Sequence, residues 1–124
     1  MNKHSILVVD DEESILRTLS RELIKAGYQV AMAASGTEAI EKLKASAYDL
    51  LITDLLMETI TGIDVILAAK ELHPAVKMVV ITGFSSDNSL AQAALQAGAM
   101  AIITKPYDRK DFLIKVADSL GKAD

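Results

Sequence analysis

The 124 residues include 51% hydrophobic and 24% charged side chains, the composition of a folded globular chain and not of a disordered one. A net charge of -4 argues against broad binding to nucleic acid or to an anionic membrane, either of which calls for a basic surface. The absence of cysteine excludes disulfides and thiolate metal sites, and the apolar run near the N-terminus is too short for a signal peptide or a membrane span, so one cytoplasmic domain over residues 1–124 is expected.

In chain order, ILVV at 6–9 reads as a strand buried on both faces, ending in Asp10 and Asp11. Ile15, Leu16, Leu19 and Leu23 mark one face of a first helix, which should end with Gly27 at the C′ position. A weaker apolar run follows at 28–33. Ser35 and Glu38 form a capping box for a second helix carrying Ala39, Ile40 and Leu43. The next strand, LLI at 50–52, runs out at Asp54. Thr61 and Asp64 cap a third helix, with Ile63, Ile66 and Leu67 inward and His73-Pro74 as its stop. MVVI at 78–81 leads to Thr82, and an Ala-rich fourth helix starts within 86–89, carries Leu90, Ala94 and Leu95, and ends at Gly98. MAII at 100–103 precedes Lys105, and a fifth helix begins near Asp108 and shows Phe112, Leu113, Val116 and Leu120. His4 and His73 have no partner ligands in sequence and read as surface residues. Met32, Met57, Met78 and Met100 sit in apolar segments and read as core filler.

Strand and helix alternate five times, which implies an α/β chain with a doubly wound parallel sheet and right-handed crossovers. The pattern leaves the strand order open. The carboxyl ends of parallel strands share one edge, where ligands bind. That edge would gather Asp10, Asp11, Asp54, Thr82 and Lys105. Singly, each has an ordinary explanation: Asp10 and Asp11 as charges favourable at a helix start, Thr82 as a strand end before Gly83, Lys105 as a loop cation. Together they form a set whose charges make sense once a cation is included. Two carboxylates about 4 Å apart repel by roughly 4 kcal/mol at an effective dielectric of about 20. Lys105 offsets part of this, and hard oxygen ligands without His or Cys favour Mg²⁺ for the remainder.

ILVVDDE at 6–12, LLITDLLM at 50–57 with Gly62 behind it, VVITG at 79–83 and TKP at 104–106 form a spaced set. On these motifs the chain resembles, over nearly its whole length, the receiver domain of two-component response regulators. The resemblance implies a flavodoxin-like sheet of order 2-1-3-4-5 with five helices, and a phosphorylatable switch that takes its phosphoryl group from a histidine kinase or phosphotransfer protein onto Asp54. By position, Asp11, Asp54 and the backbone carbonyl of Leu56 would ligate Mg²⁺, with Asp10 orienting coordinated water. Thr82 and Lys105 would hold phosphoryl oxygens, and the Lys105-Pro106 bond would be cis. An output partner is implied, and a homodimer through the fourth helix, fifth strand and fifth helix is admitted. The chemistry is consistent from below, because phosphoryl transfer asks mainly for positioning and neutralisation of oxygens. Asp54 is the nucleophile, giving an acyl phosphate whose charge draws Thr82 inward, followed by the loop at 83–87.

Two departures matter. Glu58 stands where the family usually has Pro, and Ile102 stands where it often has an aromatic that swings inward on activation. Output is therefore expected to rely on Thr82 and the fourth helix. Leu56 and Phe84 flank the site with apolar side chains and are expected to slow hydrolysis of the acyl phosphate. Three other functions are weighed. A haloacid-dehalogenase-like phosphatase wants a second Asp two residues after the nucleophile, where this chain has Leu56. A degenerate docking module is disfavoured by retention of every acid, Thr82 and Lys105. A flavin-binding domain would need a Ser/Thr/Gly-rich loop after the first strand, where DDEE stands at 10–13.

Overall fold

A computed structural model describes residues 4–57, 60–83 and 88–121. The strands are β1 (Ser5–Val9), β2 (Gln29–Ala33), β3 (Leu50–Thr53), β4 (Lys77–Thr82) and β5 (Ala101–Thr104). The helices between and after them are α1 (Glu13–Lys25), α2 (Gly36–Ala45), α3 (Gly62–Leu72), α4 (Ser89–Ala97) and α5 (Arg109–Ser119). All strand pairs are parallel, in the order β2-β1-β3-β4-β5. The chain leaves β1 toward β2 and returns to β3 on the other side, so the sheet order reverses at β1 and β3. A crevice opens at the carboxyl ends of two such strands.

Strand side chains alternate between faces, and the central strands are buried on both, which is why they read as continuous apolar runs. Leu7, Val9, Leu51, Met78 and Val80 pack under α2, α3 and α4, against residues such as Leu43, Ile66 and Ala94. Ile6, Val8, Ile52, Val79 and Ile81 pack under α1 and α5, against Leu19, Leu23, Phe112 and Val116. No helix among the described residues is long and apolar enough to cross a membrane.

Local signals set the helix ends. Gly27 and Gly98 close α1 and α4 at φ of 102° and 134°, where a side chain would be strained. Thr61 and Asp64 form the full reciprocal box on α3. On α2 the box is only half formed: Ser35 Oγ accepts from Glu38 N–H at 3.0 Å, but the Glu38 carboxylate accepts from Ala34 N–H at 2.8 Å, one residue further out. Asn88 caps α4 by accepting from Leu90 N–H, and Asp108 caps α5 by accepting from Asp111 N–H.

Four apolar residues depart from the expected inward placement. Leu67 is 52% exposed, because α3 meets the sheet through Val65, Ile66 and Ala69, and the next position turns outward by about 100°. Leu95 is outward on α4, where Ala91 and Ala94 make the contact. Met32 and Met100 are exposed and are not core filler: one lies on the edge strand β2, the other just ahead of β5. Met78 is buried as expected. The histidines are half-buried, and His73 is more than a surface residue. Its Nε2 lies 2.7 Å from the Leu43 carbonyl oxygen, joining the end of α3 to α2.

Candidate functional site at the sheet switch point

Four of the five strands, all but β2, deliver one group each. Asp10 follows β1 and is fully buried, Asp54 follows β3 and is 7% exposed, and Thr82 ends β4 at 1% exposure. The ladder continues one step past each strand end: Asp10 N–H donates to Ala33 O, Asp54 N–H to Val9 O, and Lys105 N–H to Thr82 O at 2.7 Å. The backbone carrying Asp10, Asp54 and Lys105 is thereby fixed by the sheet itself.

Lys105 Nζ sits between the two buried acids, donating to Asp10 Oδ2 and to Asp54 Oδ2 at 3.2 Å each. The second oxygen of each acid is held by backbone. Glu12 N–H donates to Asp10 Oδ1 at 2.9 Å, and Leu55 N–H donates to Asp54 Oδ1 at 2.7 Å. Burial raises the Asp10 carboxyl above its ordinary value, although the bond from Glu12 and the Lys105 ammonium pull it down. For Lys105 burial alone would lower the ammonium, and the attraction of Asp54 and then Asp10 outweighs it, so the net shift is upward. The lysine therefore stays charged.

Asp11 is exposed at the rim, and one carboxylate oxygen from each of Asp10, Asp11 and Asp54 falls within 4.8 Å of the others. Such a set of oxygens, with neither His nor Cys, fits a hard divalent cation. Leu56, 56% exposed, follows directly on the same loop. Phe84 and Glu58 lie outside the described residues, as does the part of the 83–87 loop beyond Gly83. The Lys105-Pro106 bond is cis.

Sequence reasoning did not assign roles to Thr53, Gly62 or Tyr107. Thr53 Oγ1 donates to the Asp54 carbonyl oxygen at 2.9 Å, and Gly62 N–H donates to Leu55 O at 2.9 Å, so both fix the backbone of the central acid. The Tyr107 ring packs on Phe112 with centroids 5.2 Å apart. Burial, reinforced by the Glu22 carboxylate, pushes its phenol up to about 12. A threonine directly before the acid was the one available hint for Thr53; glycine spacing alone does not reveal a close backbone approach.

Two buried acids bridged by a lysine at the switch point of a doubly wound sheet define an acidic site at the edge where such sheets bind their ligands. Residues 6–117 match the response regulator receiver domain, and the chain belongs to that family, whose members are signalling domains of two-component systems. It is 38% identical over 106 residues to the transcriptional regulatory protein ZraR of Salmonella typhimurium, covering 86% of this chain and 24% of that protein. It is also 38% identical over 109 residues to the photosynthetic apparatus regulatory protein RegA of Rhodovulum sulfidophilum, covering 86% of this chain and 58% of that one. The chain thus spans about a quarter of ZraR and somewhat over half of RegA. Among solved structures, a CheY-like receiver domain protein from Methanospirillum hungatei superposes with a TM-score of 0.92 at 30% identity, covering 98% of this chain and 96% of that one.

Proposed function

We propose that this receiver domain is a switch that accepts a phosphoryl group on Asp54 from a phosphohistidine of a kinase or phosphotransfer protein and thereby changes its affinity for an output partner. The observation that carries the reading is the convergence of Asp10, Asp11, Asp54 and Lys105 at the switch point. A response regulator from Burkholderia pseudomallei, similar in fold at a TM-score of 0.85 and 28% identical, is described with a phosphorylated aspartic acid and a calcium ion, which supports it.

In the transfer, an Asp54 carboxylate oxygen forms the new bond to phosphorus while the phosphorus–nitrogen bond of the donor breaks, its electron pair leaving with the imidazole. Asp11, Asp54 and the Leu56 backbone carbonyl would hold Mg²⁺, with Asp10 beside them to orient its water, and the ion when bound supplies positive charge against the phosphoryl oxygens. Lys105, already bonded to an Asp54 oxygen, supplies a second positive charge at the same place. Thr82 offers a hydroxyl at the end of the neighbouring strand. Incubation with acetyl phosphate and Mg²⁺ should give a phosphoryl adduct on the native protein by mass spectrometry and none on Asp54→Asn. No adduct on the native chain, or an equal adduct on the variant, overturns the proposal.

Output is carried by Thr82 and α4. Ile102 is half-buried against the α2–α4 face and lacks the ring that could swing. Thr82→Ala should therefore abolish phosphorylation-dependent partner binding that Ile102→Ala leaves intact, and the reverse pattern in a pull-down with the output partner would refute this. The Leu56 side chain slows hydrolysis by leaving water no polar anchor beside Asp54, so Leu56→Asn should lose phosphate several-fold faster, roughly 1 kcal/mol in the barrier. A slower or unchanged decay in a phosphate-release assay would count against that role. The proposed homodimer face of α4, β5 and α5 is supported by the exposure of Leu95, Met100 and Ile114.

A further inference from the structure

A second feature lies at the far edge of the sheet from β5. Among the described residues β2 pairs only with β1, and its other edge has no strand beside it. Gln29 N–H donates to His4 O and Ala33 O accepts from Asp10 N–H, so the odd-numbered residues of β2 turn their backbone toward β1. In a parallel ladder the alternate residues turn theirs away, which places the N–H and C=O groups of Val30 and Met32 on the open edge. Edge strands are commonly blunted by a charge or a proline, but the sequence of β2, QVAMA, contains neither.

What flanks this edge is apolar in the middle and basic at the rim. Met32 points to the α1 side, 45% exposed, beside Ile24 of α1 at 58%. Arg17, Arg21 and Lys25 run along the same flank of α1 at four-residue intervals, about 6 Å apart. Arg17 is paired with Glu13, whereas Arg21 and Lys25 are in no ion pair among the described residues. This basic ridge lies on a chain whose net charge is -4.

We propose that the β2 edge and the adjoining flank of α1 form a docking site for an extended acidic segment of a partner protein, which adds as a sixth strand. Its backbone would pair with Val30 and Met32, as in other cases of strand addition, while apolar side chains cover Ile24 and Met32 and carboxylates meet Arg21 and Lys25. A second copy of this chain fits less well, because a twofold pairing of β2 edges sets the basic ridges facing each other. The site is separate from Asp54, so occupancy needs no phosphorylation.

The test uses a fluorescent nine-residue peptide in which Glu and Val alternate on one face and Thr fills the other, with a Lys-for-Glu peptide as control. The acidic peptide should bind about tenfold or more tightly than the control by anisotropy. At saturation it should slow amide hydrogen exchange at Val30 and Met32 about tenfold or more. Arg21→Glu combined with Lys25→Glu, both exposed positions, should remove the preference without altering phosphorylation by acetyl phosphate. Met32→Pro should remove binding by deleting an outward N–H that β1 does not use. Equal affinity for both peptides, binding without protection of those two amides, or protection that rises with protein concentration alone would each overturn the proposal.

Discussion

Gly62→Ala is expected to lower stability by about 3 kcal/mol, toward the upper end of the range for overpacking a dense interior. A Cβ at Gly62 would collide with the Asp54 carbonyl oxygen and lie 2.9 Å from Leu55 Cα. Both are backbone atoms, so no side-chain rotation relieves the clash. Gly62 is also the first residue of α3, and its N–H bond to Leu55 O holds the helix start against the end of β3. Relief therefore requires α3 to move away or Asp54 to shift, and a shift of Asp54 disturbs its contact with Lys105. Urea denaturation of the variant should show the loss, together with slower phosphorylation by acetyl phosphate. Gly83→Ala is the control, because a Cβ there meets no described residue within 4 Å, and its change should stay within about 0.5 kcal/mol. A loss below about 1 kcal/mol in Gly62→Ala would contradict this account.

Lys105→Met should cost about 3 kcal/mol or more near neutral pH, because it leaves Asp10 and Asp54 buried without their shared counter-charge. The loss carries a pH signature. Asp10 has a carboxyl raised above 3.8 in the folded protein, so the folded state holds that proton more tightly than the unfolded chain does. Stability contributed by this group falls as pH rises through the folded value. Removing the lysine removes an attraction that pulls the value down, so the variant's deficit should be small in acid and widen toward neutrality. Lys105 itself, raised above 10.5, contributes stability that is complete below 10.5 and is lost as pH rises through its folded value. Urea melts at about pH 5 and pH 7.5 separate the two cases, and added Mg²⁺ should restore more stability to the variant than to the native protein. A deficit independent of both pH and Mg²⁺ would refute the charge argument.

Much of the fold is legible in the sequence, for local reasons. Runs such as ILVV and MVVI are apolar at every position because both faces of those strands are covered, and Gly27, Gly98, Thr61 and Asp108 mark helix ends through backbone freedom or a capping oxygen. The readings that failed did so where local pattern cannot report what lies opposite. Leu67 and Leu95 resemble core residues, yet Val65, Ile66 and Ala69 on α3 and Ala91 and Ala94 on α4 make the contact with the sheet. Met32 sits in an apolar strand whose outer edge no other strand covers among the described residues. Glu38 reached past the expected amide to Ala34, a difference of one residue in the approach of the chain to α2.

By itself the sequence determined the alternation of strand and helix, the identity of the acids, threonine and lysine at the strand ends, and through its spaced motifs the family. Covalent order fixes which residue ends a strand, and apolar periodicity fixes which segments are strands. Only the tertiary structure decided that Lys105 bridges Asp10 and Asp54 at equal distance, that the Asp54 carbonyl excludes a side chain at Gly62, and that the outer edge of β2 stays open beside a basic ridge. Those three depend on distances between segments far apart in the chain. Such distances are set by how the layers pack, and no local pattern of residues encodes them.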